Sequence, residues 1–69
     1  HDDKMYLIEV KSHAELEDVE WLFDKARIVE RILNRRADKV LIVAVNIDKE
    51  ALERARQLGI DAIYGSVIE

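Results

Sequence analysis

An α/β domain, with a three-stranded parallel sheet laid down in the order βαβαβ, is predicted by three features of this sequence. Val40 to Ile47, VLIVAVNI, is an unbroken apolar run rich in β-branched residues, the mark of a strand covered on both faces at the centre of a parallel sheet. On either side lie segments with helical spacing, roughly Ala14 to Asn34 and Lys49 to Leu58. Beyond these come two shorter apolar stretches, Met5 to Val10 and Ile60 to Tyr64. Strands that alternate with helices pair in parallel through right-handed crossovers, which gives the predicted order.

Taken in turn, the opening HDDK resembles the bend of a hairpin, so the strand at Met5 to Val10 is expected to have an upstream mate that this chain lacks. Ser12 to Glu15, SHAE, reads as a capping box that starts the long helix. Within that helix Leu16, Val19, Leu22, Phe23, Ala26, Val29 and Leu33 make one apolar stripe for the sheet. Trp21, Ile28 and Ile32 make a second stripe that a single sheet cannot cover. Acidic residues in the first half of its polar arc and arginines in the second suit the helix dipole. Asp48 is placed to cap the shorter helix, Ala51, Leu52, Ala55 and Leu58 to face inward, and Gly59 with Ile60 to end it. Val67 to Glu69 is left as a tail, and no internal repeat is present.

With 69 residues the chain is one small domain, which on folding buries only about 60% of the surface its unfolded form exposes. The absence of cysteine excludes disulfides and thiol chemistry. No signal peptide or long apolar span is present, and the first residue is His1, so the sequence reads as a cytoplasmic piece of a longer protein. A net charge of −4 is the wrong sign for a whole-surface grip on phosphates, so a nucleic-acid role needs a local basic face. No glycine-rich loop follows a strand, which leaves a flavodoxin-like or receiver-like nucleotide site without support.

Chemistry concentrates in YLIEVKS, Tyr6 to Ser12. Glu9 and Lys11 are two apart on a strand, so they share a face. They form either a surface ion pair or half a catalytic site. An E-x-K ending a strand, followed by a long helix and an apolar strand, resembles the PD-(D/E)XK nuclease superfamily, and the pattern YLIEVKSH…KVLIVAVNID…LGID…IYGSVIE is most similar to an uncharacterised archaeal family of that type. The resemblance implies part of a restriction-endonuclease-like fold and, in the intact parent, hydrolysis of DNA phosphodiesters with Mg²⁺ or Mn²⁺. It implies Glu9 as a metal ligand through its carboxylate, the Val10 carbonyl as a second hard ligand, and Lys11 as the group that orients the attacking water or stabilises charge on the phosphate. The superfamily's remaining Asp lies upstream. Asp3 is six residues from Glu9, about 20 Å along an extended strand, too far to share a metal with it. The chain is therefore expected to be a fragment that does not cut alone. The competing reading is a non-catalytic interaction module on the same scaffold.

Other polar and aromatic residues have plainer readings. Ser12 and Glu15 are capping residues, although Glu15 lies near a strand's carboxyl end, where ligands gather in open α/β sheets. His13 is expected to be solvated and His1 disordered, and Trp21 and Tyr64 suit apolar contacts better than base stacking. An unpaired first strand and an uncovered Trp21/Ile28/Ile32 stripe together predict a homo-oligomer.

Overall fold

The structure is a computed structural model that describes residues 3–69. His1 and Asp2 lie outside the described residues, so the expectations placed on them do too. Five elements follow one another: β1 (Tyr6–Ala14), α1 (Leu16–Leu33), β2 (Lys39–Asp48), α2 (Lys49–Leu58) and β3 (Asp61–Ile68). The three strands form one parallel sheet in the order β1-β2-β3, the predicted architecture. Met5 fixes where β1 begins. Its amide donates to Asp38 Oδ2 (2.7 Å), and its carbonyl accepts from the Asp38 amide (2.8 Å), which sets the pairing of Tyr6 with Lys39.

β1 runs four residues beyond its predicted end, and this moves the start of α1. Pairing with β2 carries the strand through His13 opposite Asn46 and Ala14 opposite Ile47, so Ser12 is an exposed strand residue and caps nothing. The helix begins instead on Glu15, whose amide donates to Asp18 Oδ2 at 2.8 Å. Continued ladder bonding outweighs the local capping box. Both helices end in left-handed residues, Asn34 (φ 54°) and Gly59 (φ 76°). In each case the following amide reaches back across the last turn, Arg35 to the Glu30 carbonyl and Ile60 to the Ala55 carbonyl. β3 extends to Ile68, so most of the expected tail is strand.

The helices touch one another, and their buried residues Val19, Leu22, Ala51, Leu52 and Ala55 join Ile42, Ala44, Ile47 and Ile60 in one core. That core lies on one side of the sheet. β2 is therefore not covered on both faces as its composition implied: Val45 is 67% exposed, and Tyr6, Ile8, Val10 and Ile63 are exposed with it. Along β1 the usual amphipathic sense is inverted. Tyr6, Ile8 and Val10 face outward while Leu7, Glu9 and Lys11 are half-buried. Trp21, Ile28 and Ile32 are exposed on α1 as the second stripe required, and Leu33, assigned to the inner stripe, is exposed too because the helix ends there.

A coordinated irregularity crosses all three strands near their carboxyl ends. Core-contacting positions run Ile42, Ala44 and then Ile47 in β2, and Ala62, Tyr64 and then Val67 in β3, a step of three where strand geometry requires two. Residue pairing skips Ser12 opposite Val45 and Val45 opposite Gly65 in the same row. The strands change phase together, so the pairing on both sides of the row keeps one offset. Gly65 makes this possible, since a Cβ there would lie 2.7 Å from the Val45 carbonyl oxygen.

Candidate functional site

Glu9 and Lys11 lie on the same face of β1, half-buried beneath α1. Each meets a partner from that helix. Lys25 Nζ donates to Glu9 Oε1 at 2.7 Å, and Lys11 Nζ lies 3.4 Å from Asp18 Oδ1. All four side chains keep between 22% and 39% of their surface, so solvent screens both pairs and each contributes at most about 1 kcal/mol to stability. Lys25 also sits 5.9 Å from the centre of the Trp21 ring, which steadies its ammonium above β1. The result is an alternating patch of two acids and two bases, balanced in charge.

The donors that the family resemblance implies for a divalent ion here are the Glu9 carboxylate and the Val10 carbonyl. They are hard oxygen donors of the sort Mg²⁺ and Mn²⁺ take, and Mg²⁺ completes its shell with water and substrate oxygens. The lysine bond occupies one lone pair of Glu9, and an ionised carboxylate has others. The donor set therefore fits part of such a site. Asp3 is tied through its carbonyl, which accepts from Arg35 Nη2 (2.9 Å) below the amino end of β1.

A second cluster stands at the carboxyl rim of the sheet, where β1 and β2 hand over to their helices. His13 Nδ1 is hydrogen-bonded to Asn46 Oδ1, and His13 Nε2 lies 2.9 Å from Asp48 Oδ1. With Glu15, His13 and Asp48 bring three ligand atoms within 4.8 Å of one another, the one such group among the described residues. The cross-strand pairing of His13 with Asn46 is what assembles it. Asp48 stands at the N-cap of α2, yet its side chain makes no capping bond and turns to the imidazole instead. Sequence reasoning assigned Asp48 to capping and His13 to solvent. Their convergence depends on strand register across more than thirty residues, and only the shared position at the ends of consecutive parallel strands hinted at it.

The rim raises the His13 pKa above its ordinary 6.5. The hydrogen bond to Asn46 is the main cause; desolvation opposes it, and the charges of Asp48 and Glu15 add to it. A raised folded-state pKa stabilises the fold fully below about 6.5, and that contribution disappears as pH climbs through the folded value. The urea midpoint is therefore expected to fall as pH rises through that window, and Asp48→Asn should flatten the dependence. A pH-independent midpoint from 6 to 8 in the unmodified chain would contradict this arrangement.

An open βαβαβ unit with a carboxylate and a lysine side by side on its first strand gives the class of the domain by fold and site. Within that class the chain belongs to the PD-(D/E)XK nuclease superfamily, whose family model matches residues 1–61, from the start of the chain to the first residue of β3. No curated protein and no solved structure matches it. None of the helices among the described residues is long and apolar enough to cross a membrane.

Proposed function

We propose that this chain carries half of the catalytic site of a DNA phosphodiesterase dependent on Mg²⁺ or Mn²⁺, and that the other half belongs to the intact parent protein. The observation that carries the reading is the placement of Glu9 and Lys11 on one face of β1 in a chain of this superfamily. Glu9 and the Val10 carbonyl would hold the ion. When bound, it neutralises non-bridging phosphate oxygens and lowers the pKa of a coordinated water. Lys11 holds the attacking water in line or meets the charge growing on the phosphate. Asp18 pairs with Lys11 and Lys25 with Glu9, so an ion held by Glu9 would share that carboxylate with the Lys25 ammonium.

The missing carboxylate would arrive on a strand paired to the free edge of β1. The position of β1 at the edge of the sheet supports this, and the exposed apolar face of Tyr6, Ile8, Val10, Val45 and Ile63 suits a further layer of protein. Without that layer a second copy of the chain covers the face. Sedimentation of residues 1–69 is expected to give a mass that rises with micromolar concentration, and a constant monomer mass would remove this part of the reading.

The test is cleavage of plasmid DNA with Mg²⁺ or Mn²⁺ by this chain and by a form extended upstream. The extended form should cut and the 69-residue chain should not. Cutting by the long form that survives both Glu9→Gln and Lys11→Met would remove the nuclease assignment. A second reading, a non-catalytic interaction module on the same scaffold, is favoured by the pairing of both motif side chains with α1. An extended form that folds, binds no metal at Glu9 and leaves DNA intact would establish it.

A further inference from the structure

We propose that His13, Asp48 and Glu15 form a second metal site, separate from Glu9, that takes a divalent transition ion such as Zn²⁺. Three features of the rim carry this. The first is the donor set: one imidazole with two carboxylates suits Zn²⁺, Mn²⁺ or Fe²⁺ rather than the all-oxygen shells of Mg²⁺ and Ca²⁺. The second is spacing. Ligands about 2.1 Å from a shared ion lie about 3.0–3.4 Å apart, and His13 Nε2 is already 2.9 Å from Asp48 Oδ1, with Glu15 within 4.8 Å.

The third is the second ring nitrogen. Metal-bound histidines donate their other N–H to a carbonyl or carboxylate, which fixes the tautomer, and Asn46 Oδ1 accepts from Nδ1 in that way. With Nδ1 committed as a donor, a neutral ring would turn the lone pair of Nε2 against the Asp48 carboxylate. A metal ion between them would take that lone pair and the carboxylate together as ligands. Asp48, free of any capping bond, is available for that role. The rim ligands come from β1, β2 and the start of α1, all fixed by the sheet, and the exposed side leaves positions for water or a substrate atom.

The experiment uses the chain with His1→Ser, so that one imidazole remains. Zn²⁺ is titrated calorimetrically, and Co²⁺ is followed by its visible absorption and by paramagnetic shifts of backbone amides. One ion per chain is expected, with shifts centred on His13, Asn46 and Asp48. Affinity should be lost in His13→Gln and in Asp48→Asn, and should weaken about 10- to 100-fold in Asn46→Ala, whose role is to orient the ring. A dispersed amide spectrum shows that each variant is folded. Absence of binding at millimolar Zn²⁺, binding that survives His13→Gln, or shifts centred on Glu9 would each overturn the proposal. Because the readout is binding at the rim, its failure leaves the nuclease reading untouched, and failure to cut DNA leaves this site untouched.

Discussion

Glu9→Gln in the upstream-extended form should, on the proposed function, lower the rate of metal-dependent DNA cleavage by about 100- to 1,000-fold, the loss typical of removing one group that stabilises transition-state charge. The amide keeps the shape of the side chain but loses the charge that the ion requires, so the rate should not recover at saturating DNA. Stability should hardly change. Glu9 spends its carboxylate on Lys25 at 2.7 Å in a partly solvated pair, and removing such a pair costs under about 1 kcal/mol. Lys11→Met should show a similar loss of rate with metal affinity unchanged, since the lysine is not a ligand. Metal affinity is read by calorimetry and rate by single-turnover cleavage. A variant that lost stability in step with activity would identify the pair as structural.

Gly65→Ala should be the most damaging single methyl in the fold, at about 2–3 kcal/mol. The new Cβ would stand 2.7 Å from the Val45 carbonyl oxygen, and that neighbour is backbone in the central strand, which cannot swing aside as a side chain would. A chain of this size is stable by only about 3–10 kcal/mol, so the urea midpoint should fall by a large fraction of its value. Gly59→Ala provides the contrast. It has open space around it and a φ of 76°, so its cost is the left-handed backbone alone, about 1 kcal/mol. Equal effects at the two glycines would mean that the sheet has no close approach at Gly65.

The order of elements was legible because period and composition agree at each step. VLIVAVNI excludes a helix by its branching, and both helices carry clear apolar stripes. What could not be read was which groups the third dimension favours. SHAE is a sound helix start considered alone, but eight paired positions between β1 and β2, His13 and Ala14 among them, carry the strand through it. The unbroken apolar run of β2 suggested cover on both faces, whereas composition reports only what a surface is suited to meet. Glu9 and Lys11 were visible as a pair because strand periodicity is local. Lys25 and Asp18, their partners, depend on how α1 lies across the sheet, and the rim cluster depends on a register that no short window contains.

Because β1 has a neighbour on one side only, alternate amides between Tyr6 and Ala14 point at β2 and the rest point away from it. Deuterium should enter this strand in a two-residue rhythm, fast and slow in turn, while the amides of β2, flanked by β1 and β3, exchange slowly along the whole strand. Any segment that docks on the free edge would quiet the fast half of that rhythm and leave the slow half as it was, giving a residue-by-residue signature of docking along that edge.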